Sequence, residues 1–256
     1  RPGGGSTVGT AVAARAGTDG HSIMVSSSAI AFSPALYRKL SYDVTRDFAG
    51  VCLLARQPSI LVVASGVPAR SVQELIELAR AQPGKLTFGS AGTGSATHLG
   101  GELFRFSAGV DLVHVPYKSA GQAMTALLGG ETQVLLTNAA TVLPHVSAGR
   151  VRALGITSRA RSALAPDLPT VSERGLPGFE YDTWYALLVP AGTPGSVITQ
   201  LHGDTVKVLR DRKYVERLAG QGVEIVAGSP DEMVVYLRAE VAKWGRVIAS
   251  AGIQPQ

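Results

Sequence analysis

At 256 residues, with 45% hydrophobic and 17% charged side chains, the chain can bury one large core or two modest ones and is too apolar to be disordered. Its 24 basic and 19 acidic residues leave a net charge of +5, spread thinly over Arg38, Lys39, Arg150, Arg152, Arg159 and Arg161, with no dense basic block alternating with aromatics, which argues against nucleic acid as a partner. No apolar run approaches the ~20 residues that span a bilayer, and the single cysteine, Cys52, lies in the apolar run Val51 to Ala55, where it reads as buried packing and leaves the redox compartment open.

In chain order, Ser6 is placed to cap a short helix through Val8, Val12 and Ala13. Ser22 to Ser26 reads as a strand ending in three consecutive hydroxyls, Ser26, Ser27 and Ser28. Pro34 opens a helical turn toward Leu40. Val51–Ala55 and Ile60–Ala64 read as two strands separated by Arg56 to Ser59, which includes Pro58. Ser71 and Glu74 form a capping box for a helix to Ala81, whose Val72, Leu75, Ile76 and Ala79 share one face.

Lys85 to Ser90 is the next strand, and a helix begins near Thr97 with Leu99, Leu103 and Phe106 at helical spacing. Between them lie Gly89, Gly92 and Gly94 among Ser90, Thr93, Ser95 and Thr97. A loop of this composition at a helix start gathers backbone N–H groups, hydroxyls and the positive end of the helix dipole, which suits a carboxylate or phosphate. The same residues also serve a tight strand-to-helix turn whose glycines supply only backbone freedom. From the residues alone both readings stand.

Further strands at Val110–Val115, Val134–Leu136 and Val151–Ile156 alternate with helices through Met124 and toward Val146. This rhythm predicts a parallel sheet covered on both faces. Ser158 to Pro177 is an irregular excursion; Tyr181 to Pro190 is a strand, Val223–Val226 another. The last helix is signalled by Ser229, Pro230 and Glu232, with Met233, Tyr236, Leu237, Val241, Trp244 and Ile248 as its apolar face. The hydroxyls at 26–28, the loop at 90–97 and the pair Thr137 and Asn138 all follow predicted strands, the end at which parallel sheets bind ligands.

The run Gly84, Lys85, Leu86 fails the P-loop pattern, and Gly92 to Thr97 lacks the third glycine of a dinucleotide fingerprint. No G-x-S-x-G elbow and no paired metal-ligand spacing is present around His21, His98, His114, His145 or His202. Ser95 and His98 could share a face as a hydrolytic pair, but no orienting carboxylate is near in sequence and a capping serine fits the same spacing. Hydrogen-bond donors without an evident base or nucleophile point to a binder, with an α/β hydrolase using Ser95 and His98 or a ligand-presenting sensor as rivals.

The chain resembles the periplasmic substrate-binding proteins of tripartite tricarboxylate transporters, the Bug family of Bordetella and its relatives. The likeness runs through Arg1-Pro-Gly, Pro34-Ala-Leu-Tyr37, Ser90-Ala-Gly-x-Gly-Ser-x-Thr-His-Leu99, Val113-His-Val-Pro-Tyr-Lys118, Leu127-Leu-Gly-Gly130, Asp167-Leu-Pro-Thr-Val171 and Pro190-Ala-Gly-Thr-Pro194. The resemblance implies an α/β type II periplasmic-binding-protein fold, with two lobes, a ligand cleft and crossing hinge strands. Residues 1–57 and 187–256 would form the first lobe and 58–186 the second.

It further implies a non-catalytic, cofactor-free, monomeric periplasmic protein that captures a small carboxylate for membrane permease subunits. Ser90, Gly92, Thr93, Gly94, Ser95, Thr97 and His98 would bind from the second lobe, Ser27 and Ser28 from the first, and Asn138 from a neighbouring loop. The family commonly has Asp-Asn where this chain has Thr137 and Asn138, so a plain di- or tricarboxylate is expected over an amino acid. The family also opens with a strand and a Pro-x-Gly-Gly loop ahead of the Arg-Pro-Gly segment; without them a gap is expected in the first lobe's sheet and one wall of the site.

Overall fold

The computed structural model describes residues 6–255, so the Arg1-Pro-Gly motif lies outside the described residues. In chain order the elements are α1 (Thr7–Ala14), β1 (Met24–Ser27), α2 (Ala29–Leu36), β2 (Phe48–Ala64), α3 (Val72–Ala81), β3 (Thr87–Ser90), α4 (Ala96–Ala108), β4 (Val113–Pro116), α5 (Ala120–Leu128), β5 (Val134–Asn138), α6 (Ala139–Ser147), β6 (Val151–Ile156), β7 (Asp182–Pro190), α7 (Gly195–Leu209), α8 (Arg212–Ala219), β8 (Glu224–Gly228) and α9 (Pro230–Ser250). They form two compact units, Arg1–Arg56 with Thr183–Gln256, and Gln57–Asp182.

In the first unit β1 pairs antiparallel with β7, and β8 pairs antiparallel with β2. Val51, Cys52, Leu187 and Val189 make a core cluster on which Ile198, Leu201 and Leu209 of α7 pack. Among the described residues β1 has β7 as its one ladder partner, Val25 is 65% exposed, and a cavity of about 950 Å³ opens beside the strand, lined by Thr10, Val12, Met24 and Phe48 among others.

In the second unit β2 lies between β5 and β6 and is antiparallel to both, while β3 runs parallel to β4 and to β5. The expected parallel sheet therefore carries one reversed strand. Ile60, Leu61, Val62 and Val63 are all at most 1% exposed, as a central strand covered on both faces requires.

Three expectations need correction. The strands expected at Val51–Ala55 and Ile60–Ala64 are one strand, β2. Pro58 reads as a breaker because it cannot donate to a ladder, but it falls where β2 changes partners, from β8 through Arg56 to β5 from Ser59 onward. Ser6 precedes α1 with a left-handed φ of 78° and makes no side-chain cap; Thr10 Oγ1 instead donates to its carbonyl.

Pro34 sits inside α2 rather than at its start. A proline there removes the N–H that would reach the Ile30 carbonyl. Ser33 Oγ supplies the replacement, donating to Ile30 O at 2.9 Å in a buried setting. Ser33→Ala is expected to destabilise the protein by about 1 kcal/mol, read as a lower midpoint in urea; an unchanged midpoint would show the carbonyl finds another donor.

Candidate functional site

The glycine loop stands at the carboxyl end of β3 because three neighbours hold that strand and its helix in place. Ser95 Oγ accepts the His98 amide at 3.2 Å and so starts α4. The helix lies close on the sheet through two glycines: a Cβ at Gly100 would meet Leu136 Cδ2 and Tyr181 Cε1 at 2.8 Å, and one at Gly101 would meet the Phe88 ring at 2.3 Å. Tyr181 Oη donates to Ala96 O at 2.6 Å, clamping the first turn. Gly92 and Gly94 take φ values of 107° and 78°, a region that strains residues bearing a Cβ.

Inside the loop most donors are already used. Ala91 N–H donates to Thr97 Oγ1 at 2.8 Å, Gly92 N–H to Ser90 Oγ at 3.1 Å, Gly94 N–H to His98 Nδ1 at 3.0 Å, and Ser95 N–H to Gly92 O at 3.1 Å. Ser95 Oγ and Thr97 Oγ1 share a hydrogen bond of 3.1 Å. None of the described hydrogen bonds uses the amides of Thr93, Ala96 or Thr97. Thr93 is exposed and Ala96 and Thr97 are half-buried, whereas Ser90 is 0% and His98 3% exposed.

The candidate residues therefore divide by what they do. Ser90 and His98 stand behind the loop and shape it; Gly92 and Gly94 supply backbone curvature; the amides of Thr93, Ala96 and Thr97, used by none of the described hydrogen bonds, lie at the positive end of a 13-residue helix. Ala96 carried no signal in the sequence, because a backbone donor has no side-chain signature. Asn138 ends β5, next to β3 in the sheet, and precedes α6 without a side-chain cap. It reaches the same carboxyl edge of the parallel strands as the loop, and Thr137 beside it is buried.

In the first unit Ser27 ends β1 and its Oγ accepts the Ala29 amide at 3.4 Å. Ser28 is 3% exposed and its amide donates to Trp184 O at 2.9 Å.

Two residues outside the sequence-derived candidates complete the loop's support. His114 on β4 places Nε2 2.6 Å from Ser90 Oγ and stacks on His98 with ring centroids 3.9 Å apart. Burial, and then the neighbouring His98, push its pKa down to about 4. Glu102, 4% exposed, receives Arg105 Nη1 on both oxygens at 2.9 and 2.8 Å. Burial pushes its carboxyl up, but the bonds and charges of His98 and Arg105 outweigh that, and the net shift is down.

The hydrolytic pairing of Ser95 with His98 is not formed: Ser95 Oγ takes the His98 backbone amide and the His98 ring takes Gly94. No group of three or more metal-ligating side chains occurs among the described residues, and no helix among them is long and apolar enough to cross a membrane.

The model of the tripartite tricarboxylate transporter family receptor, TctC, matches residues 1–253. BugT of Bordetella pertussis is 33% identical over 254 residues, 98% of this chain and 78% of that protein. An R. palustris protein solved with adipate is 33% identical with a TM-score of 0.78, covering 100% of this chain and 86% of its own. MatC from Rhodopseudomonas palustris, solved with bound malate, is 28% identical with a TM-score of 0.74, covering 96% and 85%. The fold is thus the α/β fold of periplasmic binding proteins, and the family and its structural neighbours are binding proteins, not enzymes. With a helix-start loop built to donate amides and a match along nearly its whole length, the chain belongs to the tripartite tricarboxylate transporter receptor family and its Bug branch.

Proposed function

We propose that the chain is a periplasmic solute-binding protein that captures a small di- or tricarboxylate, as a monomer, and offers it to the membrane permease subunits of a tripartite tricarboxylate transporter. The observation that carries this reading is the set of amides at Thr93, Ala96 and Thr97, left without an internal partner where every other amide of the loop is tied. Such a helix start favours a carboxylate by charge and by geometry. The adipate and malate bound by two relatives support the ligand class. Asn138 adds a side-chain amide at the same edge of the second unit's sheet, and the resemblance assigns Ser27 and Ser28 as further donors from the first unit.

The reading also selects among carboxylates. Thr137 replaces the acidic residue common in the family, and the nearby carboxylate of Glu102 is buried and bonded by Arg105. Neither position therefore offers a free negative charge to a ligand ammonium. Thermal melts with adipate, malate, citrate, glutarate and glutamate test this. A bound ligand at 100 times its dissociation constant adds about 2.7 kcal/mol, a rise of about 5–10 °C for a chain of this size. A larger rise with glutamate than with glutarate would defeat the preference, and no rise with any of them would defeat the ligand class.

A further inference from the structure

The shape of the glycine loop depends on which nitrogen of one buried imidazole carries the proton. His98 Nδ1 accepts the Gly94 amide at 3.0 Å. A nitrogen that accepts carries no hydrogen, so in the neutral ring the proton is on Nε2. Nε2 lies 3.6 Å from Glu102 Oε1. Arg105, which holds both Glu102 oxygens, has its own Nη2 3.6 Å from Asp111. On its other side the His98 ring stacks on His114, whose Nε2 meets the Ser90 hydroxyl that accepts the Gly92 amide. The two glycine amides flanking Thr93 are thus both held, directly or through one hydroxyl, by a pair of stacked imidazoles.

We propose that Glu102, braced by Arg105, is a positioning residue for the carboxylate site: it holds His98 in the Nε2–H form, Nδ1 then holds the Gly94 amide, and the loop turns the Thr93, Ala96 and Thr97 amides outward. The proposal rests on the reading of this loop as the carboxylate site. A charge beside an imidazole N–H is the means by which tautomers are set. A proton arriving at Nδ1 would place two donors face to face, and the Gly94 amide would be released.

The groups facing the ring are few. Glu102 and Arg105 come from its own helix and His114 from β4; β3 brings Phe88, at 6.2 Å between centroids, and β5 brings no titratable side chain. Tyr181 reaches the same helix turn and is bonded to Ala96 O. Burial, and then the neighbouring His98, hold the His114 pKa down at about 4.

Two measurements on the full chain test this. Nitrogen-15 spectra of the imidazoles in ligand-free protein report the tautomer, and calorimetric titration with adipate reports its consequence for binding. Wild type is expected to show the Nε2–H form. Glu102→Gln is expected to mix the tautomers and to weaken adipate binding about tenfold, the size of effect expected when a buried donor loses its acceptor.

An Nδ1–H or already cationic His98 in wild type, or a Glu102→Gln spectrum unchanged from wild type, would overturn the assignment whatever the binding. Adipate binding by Glu102→Gln equal to that of wild type would do the same. Failure of adipate, malate and citrate to bind wild type, with the tautomers as expected, would instead overturn the carboxylate reading of the loop.

Discussion

Gly101→Val is expected to destabilise the second unit by about 3 kcal/mol and to remove carboxylate binding with it. Two effects oppose each other at this position. Glycine in a helix interior costs about 1 kcal/mol relative to alanine, so any side chain gains some helix propensity. Against that, a Cβ at Gly101 would stand 2.3 Å from Phe88 Cε2 and 2.5 Å from Cδ2. The Phe88 ring is 1% exposed and stacks on His114, so it has nowhere to turn. Overpacking of this kind costs about 1–3 kcal/mol, and the two further methyl groups of valine take it to the upper end.

Because Phe88 lies on the strand that leads into the loop, the displacement reaches the loop amides proposed to bind the ligand as well. A melting temperature lower by about 6–12 °C is the readout. Gly203→Ala in α7, where nothing lies within 4 Å of the added Cβ, is the control and should be neutral or slightly stabilising. A Gly101→Val protein that melts with wild type and binds adipate equally well would show that α4 does not depend on this close approach.

Glu240→Leu should weaken the first unit by a similar amount, for a different reason. Trp184 and Trp244, the chain's two tryptophans, both donate Nε1–H to Glu240 Oε2, at 2.9 and 3.0 Å. All three residues are at most 5% exposed, and Lys243 pairs with the other carboxylate oxygen. Hydrogen bonds to a charged acceptor are worth about 1.5–3 kcal/mol each. Losing the shared acceptor in a buried setting is therefore expected to cost about 3 kcal/mol, since leucine returns some of it as apolar burial.

Glu240→Gln keeps one oxygen and should fall between. Tryptophan fluorescence during urea unfolding follows this cluster directly, since both indoles of the chain sit on it. Equal midpoints for wild type and Glu240→Leu would mean that the two indoles are anchored by packing alone, such as the edge contact of Trp244 with Phe32 at 4.6 Å.

Glu240 also marks a limit of reading periodicity. The apolar face predicted for α9 included Val241, but Glu240 is the buried neighbour and Val241 is half-buried. A charged residue is assigned outward by pattern, and only the presence of two indoles and an ammonium around it makes burial favourable. The same limit applies on α4, where Phe106 fits the helical spacing but is 49% exposed while Phe104 is 1% exposed. Gly100 and Gly101 rotate the buried stripe, because the helix approaches the sheet on its glycine side. In β2 the proline that reads as a break lies where a strand needs no ladder donor, a fact settled by which partners flank it.

The sequence by itself determined the elements whose signals are local: the capped helices α3 and α9, the strand-loop-helix at 87–108, the alternation that makes an α/β protein, and the motif order that placed the chain in its family. Local signals survive because caps, turns and glycine conformations depend on residues a few positions apart. Tertiary structure alone decided which donors of the loop are left unused by internal hydrogen bonds. Ser90 and His98 bear polar side chains that read as ligand contacts, yet both are buried, and the unused donors are main-chain amides that every residue but proline possesses. It also decided that His114, sixteen residues beyond His98, stacks on it, and that Glu102 and Arg105 stand behind. Those contacts come from strands β3 and β4 lying side by side in a parallel sheet, and pairing between separate strands is not written in the residues of either one.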